Sequence, residues 1–374
     1  MSDAGIYVHL PFCPYICPYC DFAKWPYRRS SAERYLTALA AEIAASDPIE
    51  ATTLYFGGGT PNTIAPDRLA TLIGGIRERF GLPDDAEITL EANPERELTA
   101  ELAAYRAAGV TRLSFGVQSF DKHELRTLGR KHSGEDVALA VARARDAGFG
   151  DLSLDLMFGV PGQSLESWTR SLRRAIALEP DHLSTYGLTV EEGTPYADWH
   201  ERSPGDFIGD DLEAEQYRAA IELLGDAGFE HYEVSNFARP GHRCRHNQNY
   251  WRNGEYLGLG VGAASFLAGT RSAHTRDLDA YVGAALAGEP IPGTSEKLAG
   301  PARVGEAAML ALRTDEGVDL HVFRERYGID FLSSYQRPIL QLEGAGMLEV
   351  TPTHVRLTRA GRFLANDVCA EFIA

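Results

Sequence analysis

The sequence predicts an α/β protein: an incomplete barrel of about six strand–helix units, followed by a smaller C-terminal α+β domain. Three observations lead there. Over roughly the first 235 residues, short β-rich runs alternate with longer amphipathic stretches, and such repetition means a parallel sheet with right-handed crossovers. The unusual residues of that stretch fall at or near strand C-termini, where a (β/α) barrel builds its site. After a Gly- and Pro-rich stretch, Gly288–Gly300, which reads as a linker, the pattern changes to helices and then two short strands. A doubly wound sheet is the alternative for the first region, because strand order is not written in one sequence.

The elements follow in order. Strands are expected at Ile6–Leu10, Thr53–Phe56, Glu87–Glu91, Arg112–Val117, Leu152–Phe158 and His182–Val190. Helical periodicity falls between them, at Ser31–Ala45, Asp67–Phe80, Thr99–Ala108, Gly134–Ala147, Leu165–Leu178 and Asp211–Ala227. The tail gives helices at Arg303–Leu312, Leu320–Tyr327 and Phe331–Leu342. Strands Met347–Val350 and His354–Thr358 come next, and a last helix runs from about Ala360. Helices followed by a β-wing suggest a winged-helix-like domain. Residues 301–374 hold eight Arg, no Lys and ten Asp plus Glu, so the domain is expected to pack rather than to read DNA.

Composition narrows the function classes. The chain has 374 residues, 44% hydrophobic and 24% charged, a globular mix for more than one domain. With 36 Lys plus Arg against 53 Asp plus Glu, the net charge of −17 disfavours bulk nucleic-acid binding. There is no apolar window of about 18 residues for a membrane span. The N-terminal stretch from Met1 lacks the parts of a signal peptide, so a cytoplasmic protein is expected. Five cysteines, odd in number and uneven in spacing, point to metal or redox chemistry rather than disulfides.

Three of them, Cys13, Cys17 and Cys20, form C-x-x-x-C-x-x-C just after the first strand. Three thiolates on a tight loop can hold three irons of a 4Fe-4S cluster and leave the fourth open to an external ligand. A structural zinc site is the alternative. It needs a fourth ligand, and His9, Cys244 and Cys369 do not lie at zinc-finger spacing. Gly57-Gly58-Gly59-Thr60-Pro61 follows the second strand, and its glycines allow close backbone approach to a ligand. Glu91, Gln118, Arg130 and Asp155 lie at or near later strand ends. Asp155 sits within a run of Leu, Met and Phe, so its carboxylate must be paired or bound.

The cysteine run resembles the signature of the radical S-adenosylmethionine (SAM) superfamily. That resemblance implies a 4Fe-4S cluster whose open iron is chelated by the amino and carboxylate groups of SAM, and SAM cleavage to a 5′-deoxyadenosyl radical. It also implies a partial (β/α)6-type, TIM-barrel-like fold. Tyr15, Tyr19 and Phe22 would limit water access to the cluster. The glycine turn resembles the superfamily's GGGTP motif, which contacts the SAM amino group. The whole set resembles the coproporphyrinogen III oxidase-like branch. By that resemblance Tyr7, Gly58, Gly59, Thr60, Glu91, Gln118, Arg130, Asp155 and Gly187 surround SAM.

Two branches must be told apart. The oxygen-independent coproporphyrinogen III oxidases carry a further cysteine, C-x-x-x-C-x-x-C-x-C, where this chain has Phe22, and a longer N-terminal extension. His246-Asn247-Gln-Asn-Tyr250-Trp251 resembles H-N-x-x-Y-W, the hallmark of the HemW-type haem chaperones. By that resemblance His246 is the candidate haem-iron ligand, with Asn247, Tyr250 and Trp251 around the porphyrin. A structural, hydrogen-bonded role for His246 is the bland alternative, and Cys244 is a competing ligand. Arginines 239, 243, 245 and 252 with no intervening Asp or Glu form a cationic island that suits propionates. Many relatives carry His where this chain has Ala264.

The expected organisation is thus a barrel over 1–235, a connecting segment with the haem motif over 236–290 and the winged-helix-like domain over 291–374. The expected partners are haem and acceptor haem proteins, in the family typically respiratory, with no nucleic acid. The reading admits a homodimer and a peripheral membrane contact. The rival is the oxidase, which decarboxylates propionates of coproporphyrinogen III. Radical chemistry on an unrelated substrate is a third option.

Overall fold

A computed structural model of the chain describes residues 4–373; Met1–Asp3, where the N-terminal stretch read above begins, and Ala374 lie outside the described residues. Six strands run in the order of the chain: β1 (Ala4–Leu10), β2 (Ala51–Gly58), β3 (Glu87–Ala92), β4 (Arg112–Gln118), β5 (Asp151–Phe158) and β6 (His182–Gly187). Every neighbouring pair among them is parallel. Strand alternation divides their side chains between two faces. Ile6, Val8, Leu54, Phe56, Ile88, Leu90, Leu113, Phe115, Leu152 and Leu154 point outward and are fully or almost fully buried.

Helices cover that outer face, as the sequence periodicity requires. Arg29–Ala45 buries Tyr35 and Leu39, Pro66–Phe80 buries Leu69 and Ile76, and Leu165–Ala177 buries Trp168 and Leu172. Each large side chain so buried contributes about 1.5–3 kcal/mol. Ser133 and Ser164 begin their helices with capping boxes, which satisfy the first free N–H groups. The inner face is polar: Tyr55, Glu91, Ser114, Ser153 and Asp155 lie on alternate positions and face the hollow of the sheet.

The sheet continues on both sides with strands that the sequence reading did not contain. β7 (Glu230–Glu233) and β8 (Asn236–Ala238) extend it beyond β6 with antiparallel pairing. β9 (Tyr256–Leu259) pairs parallel with β1, and β10 (Ala264–Leu267), β11 (Thr270–His274) and β12 (Gly293–Lys297) follow antiparallel. The twelve-stranded order is β12-β11-β10-β9-β1-β2-β3-β4-β5-β6-β8-β7, so the barrel is partial and open. Two expectations change. The stretch 236–290 is part of the central sheet rather than a connector. The linker 288–300 contains β12, because its Thr, Ser and Lys pair along the free edge of β11.

The C-terminal domain has its own core, including Val304, Leu312, Phe323, Phe331, Val355 and Phe372. Its wing is three-stranded, not two-stranded: Val318–Asp319 pairs with His354–Leu357, which pairs with Leu348–Val350. The expected single helix over Phe331–Leu342 breaks at Tyr335 into Phe331–Ser334 and Gln336–Gly344. Arg243 ties this domain to the barrel by donating to both oxygens of Asp315, at 3.1 and 2.8 Å. Among the described residues no helix is long and apolar enough to cross a membrane.

Candidate functional site

The loop after β1 carries the cysteines over the C-terminal ends of the barrel strands. It is closed by a two-residue parallel bridge, Phe12–Cys13 beside Trp25–Pro26. The N–H of Trp25 donates to Pro11 O at 2.8 Å and that of Tyr27 to Cys13 O at 2.7 Å. All three thiols are free, and all three line one cavity of about 320 Å³. Burial pushes the Cys13 thiol up to about 11 and raises Cys20 as well. Among the described residues, the one group of three whose ligand atoms all lie within 4.8 Å of one another is Asp151, Asp181 and His242, not the cysteine trio. A single zinc ion, bound at about 2.3 Å by sulfur, needs ligands that close together. The wider trio suits a multi-iron cluster.

The glycine turn presses against this loop. Gly59 N–H donates to Leu10 O and Thr60 N–H to Phe12 O, both at 2.9 Å. A Cβ on Gly59 would stand 2.8 Å from the backbone of Pro11 and Phe12, and one on Gly58 would collide with the His9 ring. Gly58 also has a φ of +110°, which favours glycine. Bare backbone is therefore required where the turn meets the cavity.

Glu91, Gln118, Arg130 and Asp155 face the same cavity with Gly58, Gly59 and Thr60. Tyr55 donates to Glu91 Oε1 at 2.9 Å and Gly58 N–H to Oε2 at 3.1 Å. Enclosure raises the Glu91 carboxyl to about 7. Asp155 is raised too, by burial, while Ser114 (3.0 and 3.1 Å) and Ser153 (3.3 Å) donate to it. Gln118 ends β4 at φ +63°, where the register with β5 slips, a strained conformation of the kind found at binding sites. Arg130 donates to Asn93 Oδ1 at 2.7 Å and Gly116 O at 2.6 Å, and its Nε is buried with no partner. That idle donor, the free thiols and the glycine cradle fit an iron–sulfur cluster carrying an amino-acid ligand.

Two expected SAM neighbours do not line this cavity, although Tyr7 stacks on Tyr55 beside it. Tyr7 lines an adjacent cavity and bonds His9 Nδ1 at 3.0 Å. Gly187 backs onto Glu213 and Phe158, and its neighbour Tyr186 reaches the cavity instead. Tyr55, Asn93 and Tyr186 are cavity residues that sequence reasoning missed. The signal for Tyr55 was its in-facing register with Gly57, two positions on.

The H-N-Q-N-Y-W segment forms helix Arg245–Trp251, and His246 packs where β1 and β2 begin, against Gly5 and Thr53. Glu87 accepts the N–H groups of Arg245 and His246, both at 3.0 Å, and so caps the helix. His246 is buried. Its Nδ1 bonds Thr53 Oγ1 and its Nε2 bonds Tyr250 Oη, each at 2.8 Å, and its ring stacks on Tyr55 at 5.2 Å. Burial lowers its pKa to about 3, so the ring is neutral. A neutral imidazole has one N–H and one lone pair, and both are used. The hexapeptide does not present one face. Tyr250 lines the cavity that contains Tyr7, while Trp251 lines a cleft towards the C-terminal domain under Arg313. Asn247, half-buried, lines neither. Cys244 is buried beside Glu87, which disfavours its thiolate.

Two of the four arginines of the cationic island are neutralised from other elements, and Arg245 is exposed without an ion pair among the described residues. Arg243 pairs with Glu230 and Asp315, Arg252 with Glu316, and Arg239 lies over Phe229. Local composition could not show those partners.

Comparison with known proteins agrees with this architecture. Residues 7–175 match the Radical SAM superfamily model and residues 298–364 the HemN C-terminal domain. The chain is 35% identical to the heme chaperone HemW of Bacillus subtilis (strain 168), over 98% of both chains. It is 37% identical to the heme chaperone HemW of Mycobacterium tuberculosis (strain ATCC 25618 / H37Rv), over 97% of this chain and 93% of that one. In structure it resembles coproporphyrinogen III oxidase (HemN) from Escherichia coli, a radical SAM enzyme, with a TM-score of 0.87 and 25% identity. That likeness covers 100% of this chain and 90% of the other.

Proposed function

This chain belongs to the HemW family of the radical SAM superfamily, and from that membership we propose that it binds haem as cargo and hands it to acceptor haem proteins. The observation that carries the reading is the near full-length likeness to proteins named as haem chaperones. Phe22 supports it, because it occupies the cavity wall where the oxidase branch has a further cysteine.

The family implies a cluster and SAM, which when bound supply one-electron chemistry. Cys13, Cys17 and Cys20 would hold the cluster. Glu91 offers a carboxylate to an ammonium group, and the idle Arg130 Nε offers a donor to a carboxylate. Asp155 offers acceptors to hydroxyl groups, and the Gly58–Gly59 backbone permits close contact. Tyr15, Tyr19 and Phe22 wall the cavity and restrict water. The segment His246–Trp251 is assigned to haem. Its tyrosine already faces a cavity, whereas His246 would have to leave both Thr53 and Tyr250 to reach iron.

One anaerobic preparation, rebuilt with iron and sulfide, tests the reading. Haem titration is expected to give a saturable Soret band. Incubation with coproporphyrinogen III, SAM and reductant is expected to give no protoporphyrinogen. Accumulation of that product would favour the oxidase, the second reading that the likeness to HemN supports.

A further inference from the structure

Beside the cluster cavity lies a larger one of about 470 Å³, between β1, strands β9–β11 and helix Gly300–Leu312. That volume is typical of small-molecule sites. Phe22, Tyr250, Tyr256 and Phe266 give it aromatic walls. Tyr250 and Tyr256 meet edge to face at 4.6 Å, and Tyr256 leans on Phe266 at 6.4 Å. Such rings favour a flat π-system.

The charge of the cavity is mixed, with Asp21 and Glu306 lining it beside Arg271 and Arg276, but one of the two cations is left without a carboxylate partner. Arg271 lines it and is ion-paired with Glu306 of the covering helix. Arg276 stands at the rim. It donates to the Asp21 backbone carbonyl, and among the described residues no carboxylate lies within 4.0 Å of it. An unpaired guanidinium beside aromatic walls matches a planar molecule with carboxylates on its edge. The ring of Phe22, 57% exposed, is common to this cavity and to the one that contains the cysteines.

The imidazole of His246 has no free lone pair, but its Nε2 holds the hydroxyl of Tyr250, whose ring is one of those walls. We propose that haem seats in this aromatic cavity with a propionate on Arg276, and that His246 is a positioning residue that fixes Tyr250 rather than the iron ligand. The inference rests on the haem-carrier reading and names the seat that this reading leaves open.

The test is haem titration of the cluster-loaded full chain, followed by Soret absorbance, with iron content and melting temperature as controls. Arg276→Glu reverses the rim charge, and Ala264→Trp fills the cavity from β10. Each is expected to weaken haem binding at least tenfold with iron content unchanged. His246→Ala and Tyr250→Phe are expected to weaken binding to a similar extent, both keeping the wild-type Soret maximum. Wild-type affinity in both Arg276→Glu and Ala264→Trp would overturn the seat while leaving the haem-carrier reading intact. A shifted Soret maximum in His246→Ala, absent from Tyr250→Phe, would make His246 the ligand and overturn the positioning role. Failure of the wild type to bind haem would overturn the carrier reading itself.

Discussion

Replacing Glu91 by Gln should remove one identifiable part of the pH dependence of the cluster-free fold between pH 5 and 8. Enclosure at the end of β3 raises this carboxyl from 4.5 to about 7, opposed by the Tyr55 hydroxyl and reinforced by Asp155. The folded chain therefore keeps a proton that the unfolded chain releases near 4.5. Between those values the folded state binds more protons, so stability falls as pH rises. The contribution is complete below about pH 4.5 and is lost by the time pH passes 7. The difference between pH 5 and pH 8 is at most about 2–3 kcal/mol, because cavity water still reaches the carboxyl. For a cooperative unit of roughly 300 residues this is about 3–5 °C in Tm. Glutamine keeps one acceptor oxygen, for the Gly58 N–H, and turns an NH2 donor to the Tyr55 hydroxyl oxygen, and it carries no charge. Asp155 is present in both proteins, and losing the Glu91 charge also relieves its carboxyl, so the comparison reads the coupled pair, while Tyr7, Tyr55, Tyr186 and Tyr250, all raised by burial, stay neutral throughout. Thermal melts at pH 5, 6, 7 and 8 provide the assay. The wild type should lose about 3–5 °C more than E91Q across that range. Parallel curves for the two proteins would refute the assignment of the raised carboxyl to Glu91.

Other expected outcomes follow from single contacts. Changing Cys13, Cys17 and Cys20 together to Ser should abolish iron and labile sulfide after reconstitution; unchanged iron would place the cluster elsewhere. Gly59→Ala should cost about 1–3 kcal/mol, because its methyl meets backbone rather than a movable side chain, and should lower iron loading. Chemical denaturation with iron analysis checks both effects. Arg243→Ala should cost about 1–2 kcal/mol, since it removes a two-pronged contact to Asp315 between the barrel and the C-terminal domain. The loss should shrink in high salt, which denaturation at two ionic strengths would show.

The parallel strands were legible because each is a short apolar run that buries one face under a helix. Their ends were less so. The run His182–Val190 stops pairing at Gly187, although its residue types continue. The added strands β7 to β12 were missed for a physical reason: they are three to five residues long, partly polar, and lie at the sheet margins, paired antiparallel except where β9 meets β1. They form because a neighbouring edge offers hydrogen bonds, and that is tertiary information. The same limit explains the site. The cysteine spacing, the glycine turn and the strand-end polar residues are local, and they converge on one cavity. Arg243 and Arg252 of the arginine island looked free because Glu230, Asp315 and Glu316 lie on other elements. His246 looked available because Thr53, its hydrogen-bond partner, is 193 residues away.

Position 22 has a practical consequence. One phenyl ring lines both the compartment that contains the thiols and the compartment walled by tyrosine. Installing sulfur there to rebuild the oxidase loop would alter both rooms at once, so a gain in one activity and a loss in the other would arrive together. Redesign of either compartment alone should begin at a residue that lines it and not the other, Tyr186 for the first and Phe266 for the second.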